Sequence, residues 1–366
     1  MELVTWPSPN QAEADTSTTP TDKEVTIRIR RVDFTRRVYL DGIDISDGVS
    51  VVLPVLNEEF YLQDAVNAIF SQDFLGPMEI ILALGPSEDR TDVIAEELHA
   101  KDPRVILVEN PSGRTAAGLN LAISKSRYSI IVRVDGHAQI PKNYVSLAVE
   151  ILHVTGAVNV GGMMAAQGVT PFERAVARAM RSSLGVGASR FHTGGAAGSV
   201  DTVYLGVFQK SALLAIGGFD EHFTRAQDWE LNYRLRSAGG IVYFDPRLHV
   251  TYRPRRSFKA LAKQYFEYGR WRRVVTRRHQ GTVNLRYLAP PFALLGTLVS
   301  LIAGLAISPI FFAPAMIYLI FLVSASIALG ESLGESMRLP AILLTMQMSW
   351  GAGFLTSPRT LASSRN

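Results

Sequence analysis

From residue 49 onward, short apolar runs rich in β-branched residues alternate with stretches of helical period. Val49-Ser-Val-Val-Leu-Pro-Val reads as a buried strand. Asn57-Glu58-Glu59 then opens a helical stretch with Leu62, Val66, Ile69 and Phe70 on one face. Further strands are predicted at 78–84, 105–109, 129–135, 157–161, around 200–207 and at 241–245. Helices are predicted at 91–99, 115–124, 228–238 and 259–278, and a Gly/Ala/Ser-rich stretch near 185–198 is expected to be mobile. Strands and helices alternating at this spacing predict an α/β fold with a mostly parallel sheet covered on both faces. Ligands on such sheets sit outside the carboxyl ends of the strands, and Asp135 stands at one of those ends.

The pattern changes after residue 287. Residues 288–307 carry no charge and are long enough to span hydrocarbon as a helix at about 1.5 Å per residue. Ser308-Pro309 interrupts, and 311–329 is a second uncharged stretch. A polar connection with Glu331, Glu335 and Arg338 leads to a third, weaker apolar segment at 340–356, which contains Gln347, Gly351 and Gly353. Two or three transmembrane helices are therefore expected, the third either spanning, re-entering or lying at the interface. At the other end, residues 1–23 are rich in Pro, Ser, Thr, Asp and Glu and are expected to be disordered. Alternation at Val25, Ile27 and Ile29 predicts a short strand before a turn near Asp41-Gly42. The expected organisation is a disordered 1–23, a β-rich extension at 24–47 and an α/β body at 48–252. A basic juxtamembrane segment at 253–287, the apolar helices at 288–356 and a tail at 357–366 follow.

Charge sharpens this division. The 366-residue chain has a net charge of only +4, yet residues 253–286 hold eleven basic residues against one acid, Glu267. By the positive-inside rule that block, and everything before it, belongs on the cytoplasmic side of a cell membrane. No basic-then-apolar export pattern opens the chain, so no cleaved signal is expected. Cysteine is absent, which excludes a disulfide scaffold, a thiolate metal site and thiol catalysis. There is no GxGxxG, P-loop or HExxH, which argues against dinucleotide oxidoreductases, P-loop NTPases and zincins.

Three clusters could carry chemistry. Asp135-Gly136-His137 follows an apolar strand, and a carboxylate and an imidazole one residue apart can both face a cation. The same Asp could merely end a strand and cap a turn. Gln227-Asp228-Trp229-Glu230 opens a helix beside Gly217-Gly218-Phe219-Asp220. Acids there serve as capping devices or, for Asp228, as a base toward an incoming hydroxyl. In Gln264-Tyr-Phe-Glu-Tyr-Gly-Arg-Trp-Arg-Arg273, arginines beside aromatics suit phosphate and lipid headgroups, with Arg270 and Trp271 the specific candidates.

Taken in order, these pieces resemble family 2 glycosyltransferases of the GT-A fold. The residues that carry the resemblance run from Val49 to Glu59, then Ser87-Glu-Asp-Arg-Thr-Asp92, Arg114-Thr-Ala-Ala-Gly-Leu-Asn120 and Asp135-Gly-His137. Val200-Asp-Thr-Val-Tyr-Leu-Gly-Val-Phe208, Gly217-Gly-Phe-Asp220 and Gln227-Asp-Trp-Glu230 complete the set. The pattern is most similar to succinoglycan-type bacterial glucosyltransferases with a membrane tail. The resemblance implies a Rossmann-like catalytic domain followed by membrane helices. It puts Pro54 and Glu59 at the nucleotide base and ribose, with Asp89 and Arg114 also on the donor side. Asp135 matches the first carboxylate of the metal motif, for Mn²⁺ or Mg²⁺, and His137 replaces the second. Asp228 matches the catalytic base of an inverting transfer, with Gln227, Trp229, Glu230, Arg270 and Trp271 toward the acceptor or its diphosphate. Leu84 and Gln227 stand where many members carry acids. The implied partners are a nucleotide-sugar donor such as UDP-glucose, a polyprenyl-diphosphate-linked or other lipid-linked acceptor, and membrane lipids, but no nucleic acid. A processive polysaccharide synthase and a non-catalytic membrane scaffold are the competing readings.

Overall fold

The computed structural model describes residues 39–40, 43–44, 48–283 and 285–362. The strand expected at 25–29, the turn at 41–42 and the disordered 1–23 lie outside the described residues. Two short strands, β1 (Tyr39–Leu40) and β2 (Ile43–Asp44), pair antiparallel as a unit of their own.

The second unit begins at Asp47. Its first half follows the alternation seen in the sequence. In chain order it runs β3 (Val49–Val55), α1 (Leu62–Phe70), β4 (Met78–Leu84), α2 (Thr91–Lys101), β5 (Val105–Glu109), α3 (Thr115–Lys125) and β6 (Ile130–Arg133). Strands β3 to β6 pair in parallel, in the order β5-β4-β3-β6. Val51, Leu53, Ile80 and Leu82 pack on one face, and Val52, Ile81 and Ala83 on the other, so both faces of these strands carry apolar residues.

The second half continues with α4 (Tyr144–Thr155), β7 (Asn159–Ala166), α5 (Pro171–Met180), α6 (Ser183–Val186), α7 (Arg190–Thr193) and β8 (Gly198–Ser199). Then come β9 (Tyr204–Gln209), α8 (Lys210–Ala215), α9 (Gln227–Ser237) and β10 (Val242–Tyr252). These strands extend the sheet as β6-β9-β7-β10-β8, with β9 antiparallel to both neighbours and β10 parallel to β7. The sheet is therefore eight-stranded and mostly parallel. Strands β7 and β10 are longer than expected, and the stretch near 185–198 contains two single-turn helices and β8. The helix expected from Asn57 starts at Leu62 instead. Asn57 has a left-handed backbone (φ 57°), and its neighbours are tied to the loop after β4.

A buried carboxylate paired with an exposed arginine staples the sheet below the site. The Glu79 side chain is fully buried on β4 and accepts from Ser50 Oγ (2.6 Å), the Arg127 backbone N–H (2.6 Å) and Arg127 Nε (2.6 Å). Burial opposes ionisation, but these donors outweigh it and hold the Glu79 carboxyl below its usual range. Glu79→Ala is expected to cost about 1–3 kcal/mol at neutral pH by leaving those donors unmatched. Because the folded-state pKa is depressed, this contribution is present above the unfolded pKa and fades as pH falls through the folded value. Denaturant unfolding at pH 7 and in acid should show the wild-type advantage narrowing at the lower pH.

The C-terminal part consists of α10 (Phe258–Arg278), α11 (Leu285–Ala306), a 3₁₀ turn at Pro309–Phe312, α12 (Ala313–Leu329), α13 (Leu333–Thr356) and a last 3₁₀ turn at Arg359–Ala362. Two helical segments, Leu285–Ala306 and Pro309–Leu329, are long and apolar enough to cross a membrane, and most of their surface lies outside the protein core. Helix α13 differs. It starts inside the expected polar connection, where Ser332 Oγ accepts from the Glu335 N–H (3.3 Å), and it accommodates Pro340. Its Leu339, Ile342, Leu343 and Met346 are fully buried in one cluster with Ala175, Val176 and Met180 of α5 and Leu261 of α10. At the crossing with α10 a Cβ on Gly353 would come within 2.0 Å of the Phe266 carbonyl oxygen, so only glycine allows this approach.

Candidate active site

The loops after β3, β4, β5 and β6 all leave the sheet at one end, because parallel strands share a direction. They bring Asn57-Glu58-Glu59, Asp89, Arg114, Asp135 and His137 to that end, where Pro54 stands near the end of β3 itself. The first two loops are interlocked. Ser87 Oγ accepts from the Asn57 N–H (3.1 Å) and Asn57 Oδ1 from the Glu88 N–H (2.8 Å). Thr91 Oγ1 accepts from the Glu58 N–H (2.7 Å). One Asp89 oxygen accepts from the N–H and hydroxyl of Thr91, the other from the Glu59 N–H (3.2 Å). Glu59 returns a bond to the Arg90 N–H (3.2 Å). Asp89 and Glu59 are thus the rivets of the loop pair. Arg114 reaches across to the Glu221 carbonyl (3.4 Å), and Asn120 clamps the Gly217–Asp220 turn through the Phe219 N–H (2.8 Å) and carbonyl (2.9 Å).

The second wall is the start of α9. Here the chain turns through a left-handed Ala226 (φ 60°) and presents Gln227, Asp228, Trp229 and Glu230. The two walls meet at Arg133, the last residue of β6, whose side chain is only 5% exposed. Its Nη1 donates to Asp228 Oδ1 and its Nη2 to Asp135 Oδ1 (3.1 Å), spanning 95 positions of sequence. The ring of Phe219 lies 6.0 Å from the guanidinium carbon, and Nε has no partner. Two half-buried carboxylates on one guanidinium would repel each other without it, and a forked, permanently charged donor lets both stay in place. Burial pushes the Asp228 carboxyl up; Arg133 opposes, Asp135 reinforces, and the net direction is upward. Tyr204, half-buried beside these charges, is raised well above the ordinary phenol range by desolvation and by Asp135.

His137 faces Glu58. Its Nδ1–H donates to Glu58 Oε1 (2.7 Å), and that bond, against burial, raises the imidazole above its usual value. A carboxylate bonded to one ring nitrogen is the support that metal-binding imidazoles commonly carry. Among the described residues no three acidic or imidazole side chains converge as a preformed metal cage. A divalent cation at Asp135 and His137 would have two protein donors there, with the remaining positions left to oxygen from a substrate.

The remaining sequence candidates take different places. Gln227 and Trp229 are buried, and Gln227 Oε1 and Trp229 Nε1 have no partner. Glu230 is 1% exposed and engaged by the Arg234 fork (2.7–3.0 Å) and His279 Nε2 (3.1 Å). Trp271 is buried against Phe223 (5.6 Å between rings), Val274 and Val275 in a cluster that also holds Trp229, and so it braces α9. Arg270 pairs with Glu267 (2.8 Å) on its own helix and lies over Phe266. Arg133 is the residue the sequence reading passed over. Its signal was a single charge inside an otherwise apolar strand, two positions before Asp135.

The eight-stranded, mostly parallel sheet with a carboxylate on each wall of the cleft defines a GT-A glycosyltransferase fold. Its likeness extends to the mannosyltransferase PcManGT from Pyrobaculum calidifontis, solved in complex with GDP-Man and Mn²⁺. The TM-score is 0.60 at 19% identity, over 84% of this chain and 86% of that one. The model of glycosyl transferase family 2 matches residues 50–217. Succinoglycan biosynthesis protein ExoA of Rhizobium meliloti is 30% identical over 314 residues, spanning 83% of this chain and 93% of that protein. The dolichyl N-acetyl-alpha-D-glucosaminyl phosphate 3-beta-D-2,3-diacetamido-2,3-dideoxy-beta-D-glucuronosyltransferase of Methanococcus voltae is 25% identical, over 69% of this chain and 81% of that one. The chain belongs to glycosyl transferase family 2.

Proposed function

We propose that this protein is a membrane-anchored, inverting glycosyltransferase that moves a sugar, glucose from UDP-glucose first among candidates, onto a lipid-linked glycan. The observation that carries the reading is the meeting of Asp135 and Asp228 on the Arg133 guanidinium at the ligand end of the sheet. Asp228 takes the proton of the attacking acceptor hydroxyl. A carboxyl raised by burial is a better base near neutral pH than an exposed one. Asp135 and His137 would hold a divalent cation, Mn²⁺ or Mg²⁺, which when bound would supply positive charge beside the nucleoside diphosphate leaving group. Arg133 keeps the two carboxylates from repelling one another, and Glu58 orients His137. The interlocked loops of Pro54, Glu59 and Asp89, with Arg114 beside them, receive the nucleotide.

The apolar segments Leu285–Ala306 and Pro309–Leu329 anchor the protein in the cell membrane. The basic block before them holds the catalytic unit on the cytoplasmic face. The succinoglycan and dolichyl N-acetyl-alpha-D-glucosaminyl phosphate names of the two relatives support a reading in polysaccharide or glycolipid assembly at the cell envelope.

Donor binding by the detergent-solubilised full-length protein tests this. UDP-glucose, UDP-galactose and GDP-mannose would each be titrated with Mn²⁺, with Mg²⁺ and with EDTA. One donor is expected to bind with metal, and to lose at least tenfold in affinity in EDTA or on Asp135→Ala. If no nucleotide sugar binds under any metal, the catalytic reading fails and a scaffold takes its place.

A further inference from the structure

Most cations of the C-terminal region are matched or free in solvent, but one pair is neither. Arg272 of α10 lies between two rings, its guanidinium carbon 4.8 Å from the Trp229 centroid and 4.4 Å from that of Tyr287. Arg286, at the start of α11, lies over the same Tyr287 ring at 4.8 Å and donates from Nη2 to the Tyr287 hydroxyl (2.6 Å). Three buried N–H groups at this spot, Arg272 Nη1, Arg286 Nε and Trp229 Nε1, have no acceptor. Among the described residues neither arginine has an ion pair, whereas Arg133 has two carboxylates and Arg234 has Glu230. Burial pushes the Arg272 guanidinium down; Tyr287 opposes this and Arg286 adds to it. Two gathered, unmatched guanidiniums with spare donors are costly alone and suit a polyvalent oxyanion.

Their position narrows the anion. Arg286 is the second residue of Leu285–Ala306, so it stands where a membrane helix passes the headgroup layer. Trp229, which touches Arg272, directly follows Asp228 in the chain.

We propose that Arg272 and Arg286, gathered on Tyr287 beside Trp229, hold the phosphate or diphosphate ester of a membrane lipid, the head of the lipid-linked acceptor. This rests on the reading of that acceptor above. It assigns the anion to residues other than Arg270 and Trp271, which are turned to Glu267 and to the core.

The test uses the full chain in non-ionic detergent with EDTA, so that no metal recruits the probe to Asp135. Inorganic pyrophosphate and farnesyl diphosphate are titrated by calorimetry. Both are expected to saturate, farnesyl diphosphate more tightly. Arg272→Gln and Arg286→Gln should each weaken binding at least tenfold with little change in the thermal midpoint, and Arg286→Lys should restore part of it. Identical binding in the double variant, or no binding to wild type, overturns the proposal. Phosphatidylglycerol micelles displacing farnesyl diphosphate on equal terms would reassign the site to bulk lipid and overturn the acceptor claim. Because no donor is present, failure here is distinct from failure of the transferase reading, which the donor titration reports.

Discussion

Asp228→Asn is expected to lower sugar transfer by roughly 10²–10⁴-fold while leaving nucleotide-sugar affinity within about threefold of wild type. The substitution keeps the size and one oxygen of the side chain, so Arg133 Nη1 retains an acceptor and the start of α9 keeps its place. What it removes is the capacity to take a proton. The separation of rate from binding is the diagnostic, since a residue that merely caps α9 would move stability and leave turnover nearly intact. Single-turnover assays on the purified full-length protein, beside donor titrations, read both quantities. Turnover within threefold of wild type would remove Asp228 from the chemistry and return it to a capping role.

Arg133→Met is expected to destabilise the protein by about 3–5 kcal/mol, the range seen when one member of a buried ion cluster is lost. The side chain is almost fully buried and shared by two carboxylates, so its removal leaves two like charges facing each other without a counter-ion. Arg133→Lys should fare little better. An ammonium is a point charge and does not reproduce the fork that reaches Asp228 with one nitrogen and Asp135 with another. A double-mutant cycle makes the claim specific. Adding Asp228→Asn to Arg133→Met removes one of the repelling charges, so the pair should lose less than the sum of the single variants. Additive losses in chemical unfolding would mean that the guanidinium does not couple the two walls.

The parts of this fold that were legible in the sequence are those whose pattern is local. Strands β3, β4 and β5 are runs of Val, Ile and Leu between turns, and their limits in the structure coincide with the runs. Asp135 and Asp228 stood out through motif resemblance, each at the edge of an element. Arg133 was illegible because its meaning depends on a contact 95 residues away, between a strand end and a helix start. Helix α5 was legible but unread. Thr170-Pro171-Phe172-Glu173 forms a complete capping box, with reciprocal bonds of 3.2 and 2.8 Å. Strand β7 was read short because Gly161 and Gly162 interrupt its apolar run. Glycine is needed there, since a Cβ on Gly162 would sit 1.6 Å from the Leu248 oxygen.

The docking of α13 changes what the C-terminal segment is. A hydrophobic anchor at the end of a soluble enzyme can usually be cut away, leaving a free-standing catalyst. Here the last long helix returns from the apolar hairpin and buries Leu339, Ile342, Leu343 and Met346 against α5 and α10. It thereby becomes one wall of the enzyme's own interior. Shortening the chain before Leu333 would lay bare the face of α5 that carries Ala175, Val176 and Met180. The sheet and the C-terminal helices that pack on it are accordingly one inseparable body, and a version without the last helix would require redesigning that wall rather than deleting it.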